Sequence, residues 1–83
     1  MLDIGHLLRL SDIYSYASSV SEKTVSYRVF GDSKKLAALR AGSDIGVNRF
    51  NSALGWFANN WPEGVEWPDG VYRPEPKSLE VAQ

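Results

Sequence analysis

Apolar side chains recur most regularly between residues 47 and 61. Val47, Phe50, Leu54, Phe57 and Trp61 fall at intervals of three and four, with Ala53 and Ala58 beside them. That spacing lays one stripe along a helix and predicts one from Val47 to Asn60. Pro62 closes it, because the residue before proline avoids helical backbone. Trp56 stands off the stripe, either covering another part of the core or exposed as a contact for a second subunit.

Upstream, Leu2, Leu7, Leu8 and Leu10 predict an N-terminal helix whose first turn Gly5 weakens. Ile13, Tyr14 and Ala17 continue at helical spacing behind Ser11, a candidate N-cap, so the two stretches form either one helix or two. A small-apolar-small break, Ser19-Val20-Ser21, follows. The Ser21 hydroxyl can cap a new helix in which Val25 and Val29 face inward, while Lys23, Thr24, Ser26, Tyr27 and Arg28 lie on other faces. Gly31 ends that helix at a position that tolerates left-handed backbone. Asp32 or Ser33 then caps a third segment, with Leu36 and Leu39 inward, Lys34, Lys35 and Arg40 outward, and Gly42 at its end.

After residue 61 the pattern changes. WPEGV at 61–65 returns as WPDGV at 67–71. Each unit places proline second and glycine fourth, as a type I turn over its first four residues requires. Two copies are too few for a repeat array, so they form a strap, either packed on the helices by its tryptophans or docked into a partner protein. The polar, proline-interrupted segment beyond Arg73 is predicted to be disordered. The chain thus divides into a helical domain over 1–62 and a Pro/Trp strap with a tail over 63–83. The fold class is all-α: a compact bundle of four to five short helices containing a helix-turn-helix, plus the non-helical strap.

Composition sharpens this picture. Eighty-three residues make one small domain, and 43% apolar content with ten aromatic residues supplies a core. With no cysteine and a single histidine, His6, there is little from which to build a disulfide, a metal centre or a histidine-based catalytic site, so neither an enzyme nor a cofactor is expected. No apolar run approaches the ~20 residues that span a bilayer, and no basic segment precedes an apolar one near the start. The expected location is cytoplasmic, with no membrane partner.

The net charge of −1 hides an uneven distribution. Residues 20–50 hold six basic side chains (Lys23, Arg28, Lys34, Lys35, Arg40, Arg49) against three acidic ones (Glu22, Asp32, Asp44). Residues 51–83 hold two basic side chains against five acidic ones. A positive patch can therefore sit on a weakly acidic chain, although scattered solvated charges would give the same totals.

The stretch 11–30 resembles the helix-turn-helix of bacterial and phage regulators, the lambda-repressor-like and Cro-like DNA-binding family. The matching residues are Ser15, then Ser19, Val20 and Ser21 at the turn, and Thr24-Val25-Ser26-Tyr27-Arg28. The longer pattern SxxTVSYRVFGDSKKLxxLRAG followed by RFxxALxWFxxNWP is similar to small regulators of phages and alphaproteobacteria, over residues 10–62. The chain departs from the family at Ser15, where alanine is commonest, and at Ser19, where glycine relieves a positive φ.

The resemblance implies a transcriptional regulator that binds double-stranded DNA as a homodimer, since one copy reaches few phosphates. The last helix with Trp56, or the strap, would supply the dimer surface. Ser21, Lys23 and Thr24 would meet phosphates or the first base edges, helped by the helix N-terminus. Arg28 would read guanine with its fork. Tyr27 would touch a phosphate or a thymine methyl, and Ser26 a base edge. Lys34 and Lys35 would grip the backbone and set register. Against these roles, Arg28 could pair with Asp32, Tyr27 could lie in the core, and both lysines could be merely solvated. The acidic tail and the tryptophans also suit a different class, a helical interaction module such as a phage-encoded inhibitor or adaptor docking on RNA polymerase or another regulator.

Overall fold

The computed structural model of the chain describes residues 3–74. Four helices, α1 (Ile4–Ser18), α2 (Glu22–Phe30), α3 (Lys35–Arg40) and α4 (Val47–Asn60), make an all-α bundle, with no strand among the described residues. Leu2 and, of the tail predicted to be disordered beyond Arg73, residues 75–83 lie outside the described residues.

The first two apolar stretches are one helix. Asp3 caps α1 by accepting the Gly5 amide at 3.0 Å, which leaves Ser11 in mid-helix rather than at a cap. Leu7, Leu10, Ser11 and Tyr14 are all buried, so the inward stripe runs straight through the serine. The Ser11 hydroxyl has no hydrogen-bond partner among the described residues. His6 is half-buried, its Nε2 at 3.2 Å from Asp3 Oδ2.

The break at 19–21 is tight. Ser19 adopts left-handed backbone (φ 57°, ψ 42°), and it is the only non-glycine described residue to do so. Its amide reaches the Tyr16 carbonyl at 3.4 Å and the Val20 amide the Ser15 carbonyl at 3.2 Å, which satisfies carbonyls that the helix end would leave bare. The Ser15 hydroxyl donates to the Val20 carbonyl at 2.5 Å. Ser15 is therefore small enough for the crossing and also fastens the turn.

α2 is held at both ends. Ser21 accepts the Thr24 amide at 3.2 Å, and Gly31 (φ 73°) turns the chain out at the other end, its amide on the Tyr27 carbonyl. The N-cap of α3 is Lys34, with no side-chain cap bond, rather than Asp32 or Ser33. The Asp32 carboxylate instead accepts the Lys34 amide at 2.8 Å and shapes the turn before the helix. Gly42 (φ 109°) follows α3.

α4 has the predicted bounds, and Trp61 leaves it in extended backbone before Pro62. Phe50, Ala53, Leu54, Phe57 and Ala58 are buried. Val47 is not: at the first position of the helix it stays exposed, so the stripe begins one step later than its spacing implied. Trp56 is half-buried and meets Tyr14 and Phe57 edge-on, with centroids at 5.3 and 5.4 Å, which places it against the core.

The strap turns differ from the expected register by one residue. The closing bonds run from Val65 N–H to Pro62 C=O (3.3 Å) and from Val71 N–H to Pro68 C=O (3.4 Å), so each glycine is third in its turn rather than fourth. Gly64 and Gly70 have φ of 82° and 84°, the left-handed third position of a type II turn. Each unit closes the same way, with Trp61 Nε1 donating to the Val65 carbonyl and Trp67 Nε1 to the Val71 carbonyl, both at 2.8 Å. The two indoles meet at a 60° tilt with centroids 4.9 Å apart, and Arg73 lies over Trp67 while donating to the Ala58 carbonyl of α4. Val71 and Pro68 are buried, so the strap is packed on the bundle.

The left-handed serine gives a direct test of the turn. A non-glycine residue there costs about 1–2 kcal/mol, partly offset by the greater freedom that glycine loses on folding. Ser19→Gly is expected to stabilise the domain by about 0.5–1 kcal/mol, a rise of a few degrees in Tm by circular dichroism. Ser19→Val, β-branched at the same φ, should lower Tm.

Candidate nucleic-acid interface

At 100° per residue, Lys23, Thr24, Tyr27 and Arg28 occupy one arc of α2, and Val25, Ser26 and Val29 occupy the opposite one. Burial follows that division. Val25 and Ser26 are completely buried and Val29 partly so, whereas Lys23, Tyr27 and Arg28 are exposed, Tyr27 at 64%. The short helix thus packs its apolar side chains on one side only. Tyr27 is not a core residue.

Ser26 corrects the sequence reading, because a side chain with no exposed surface cannot reach a base edge. Its hydroxyl donates to the Asp32 carbonyl at 2.5 Å and accepts the Leu36 amide at 3.0 Å, bridging the end of α2 to the start of α3. It is a structural pin. Ser21 and Thr24 remain at the N-terminal end of α2, their hydroxyls 3.2 Å apart, with Ser21 exposed and Thr24 half-buried. Lys34 is exposed, in the segment that Ser26 pins to α2. Lys35 is half-buried, with Nζ at 3.3 Å from the Asp44 carbonyl in the loop before α4.

Arg28 does not pair with Asp32. Its Nη1 donates to the Tyr14 hydroxyl at 3.0 Å, a contact 14 residues away in sequence that local pattern could not reveal. Because tyrosine brings no negative charge, the guanidinium keeps its full positive field.

The other basic residues have separate uses. Arg40 contacts Asp12 of α1 and, with Nε at 2.6 Å, Glu22 of α2, so one guanidinium joins three helices. The Glu22 hydrogen bond raises the Arg40 pKa above its ordinary value, opposed by partial burial and reinforced by Asp12. Functionally, this contact neutralises Glu22, the acidic residue in the first turn of α2. Arg49 of α4 lies over the Phe30 ring at 5.5 Å and donates to the Phe30 carbonyl, complementing the negative end of α2. Lys23 and Lys34 have no side-chain partner among the described residues.

The candidate surface is therefore the outward arc of α2 with Lys23, Tyr27 and Arg28 and its cap at Ser21 and Thr24, and Lys34 is exposed in the segment that follows α2. No protein-family model, curated protein or solved structure matches the chain.

The two arcs of α2 should respond differently to truncation. Ser26→Ala strands the buried Leu36 amide and is expected to cost about 1–3 kcal/mol in urea unfolding. Lys23→Ala, which removes nothing that the fold uses, should stay within about 0.5 kcal/mol.

Proposed function

We propose that the chain is a helix-turn-helix protein that binds double-stranded DNA through the outward arc of α2 and acts in transcriptional regulation. The observation that carries this reading is the pairing of a tight left-handed turn with a short capped helix packed on one side, whose exposed side bears Lys23, Tyr27 and Arg28. An α-helix presented in this way fits the major groove. Lys23 and Lys34 are positioned for phosphates, and Tyr27 for a phosphate or a thymine methyl. Arg28 bears the fork that matches guanine, and Ser21 and Thr24 stand at the positive end of the helix. With so few phosphate contacts per copy, the working form is a homodimer on a two-fold site.

The rival reading, a docking module, drew on the acidic tail and the paired tryptophans. Both indole N–H groups bond within their own turns and the rings pack against each other at a tilt, which leaves them poorly suited to anchor a partner.

Fluorescence anisotropy with a labelled duplex tests the proposal. Affinity should fall steeply between 50 and 200 mM salt as bound phosphates release counterions. Lys23→Ala and Lys34→Ala should each weaken binding to all sequences alike and reduce the salt slope by about 1. No binding at low salt up to tens of micromolar, where non-specific association is normally visible, would favour the docking module.

A further inference from the structure

Arg28 is the one cation of the α2 outer arc whose guanidinium is already held by a side chain of another helix, and that side chain is nearly immobile. Tyr14 is 6% exposed, and its ring is clamped edge-on by Trp56 at 5.3 Å and by Phe57 at 6.0 Å. Its hydroxyl therefore occupies a fixed point beneath α2, and Arg28 Nη1 rests on it at 3.0 Å.

We propose that Tyr14 is a positioning residue for base recognition: its hydroxyl holds Arg28 by one Nη1 hydrogen and leaves the Nε–Nη2 edge to read a guanine. The inference rests on the helix-turn-helix reading and names the element of sequence that it recognises. A guanidinium has five N–H donors in a planar fork. One is engaged by Tyr14, and the Nε–H with its neighbouring Nη2–H still presents two parallel donors, the pair that matches guanine O6 and N7 in the major groove. A long side chain ordered before binding loses less freedom on contact, and a fixed plane tolerates fewer wrong bases. Tyr14 itself is too buried to touch DNA, so its effect is confined to discrimination.

The experiment uses the full chain and a duplex obtained by selection from a random pool, compared with a scrambled duplex by anisotropy. Tyr14→Phe keeps the ring and removes only the hydroxyl. It should lower the ratio of selected to scrambled affinity about tenfold, while affinity for the scrambled duplex and its salt slope stay unchanged. Arg28→Ala should lower the ratio at least as far, and the double variant no further than Arg28→Ala alone. In the free protein, the Arg28 Nε–H signal in nitrogen-15 relaxation should be ordered in the wild type and mobile in Tyr14→Phe. If Arg28→Ala loses discrimination but Tyr14→Phe does not, or if the signal is equally mobile in both proteins, the positioning role is overturned while the DNA reading stands. If the wild type binds no duplex, the DNA reading fails and the guanine assignment fails with it.

Discussion

The functional reading depends on how α2 is fastened to the rest of the bundle. It has nine residues, including β-branched Thr24, Val25 and Val29, and a segment of that length and composition is not helical in isolation. Its structure comes from Val25 in the core, the Ser26 hydroxyl bridging to Asp32 and Leu36, and caps at Ser21 and Gly31. All of these act on one side or at the ends. The opposite arc makes one tie to the rest of the bundle, Arg28 on the Tyr14 hydroxyl, and holds the lysine, tyrosine and arginine on which the functional reading rests.

Behind that helix stands an aromatic column. Tyr14, Trp56, Phe57, Trp61 and Trp67 meet in succession with centroids 4.9–6.2 Å apart, and Arg73 closes the far end. Edge-on and tilted contacts of this kind add roughly 0.5–1.5 kcal/mol each beyond the surface they bury. The column joins α1, α4 and the strap and ends on the α2 side at the Tyr14 hydroxyl. A 72-residue described region thus has a stiff spine beneath its most exposed helix. Arg40 adds the electrostatic part, holding α1 and α2 together and removing the Glu22 charge from the neighbourhood of Lys23 and Arg28.

Much of the fold was legible from spacing and caps. The bounds of α4, the Ser21 cap, the Gly31 stop and the separation of Val25 from Lys23 and Tyr27 all follow from period and local chemistry. Ser11 was misleading because serine suits both a cap and a tight helix crossing, and only the continuous stripe from Leu7 through Tyr14 decides between them. Ser26 failed for a related reason. A hydroxyl on the edge of the apolar arc looks the same in sequence whether it meets water or two backbone groups, although its place one step from Val25 was a usable signal. Contacts such as Arg40 with Asp12, 28 residues apart, and Arg28 with Tyr14 have no local signature. Counting charges by segment therefore treated Arg40 as part of a basic surface when it is balanced by two carboxylates.

The central claim is that the free arc of α2 is the face that meets nucleic acid. Titration of a nitrogen-15-labelled sample with an unselected duplex at low salt, followed by amide and side-chain chemical shifts, tests it most directly. Shifts concentrated at residues 21–28 and at Lys34 are the predicted outcome. Shifts concentrated on the outer face of α4 around Asn51 and Ser52, or on the strap, would contradict it.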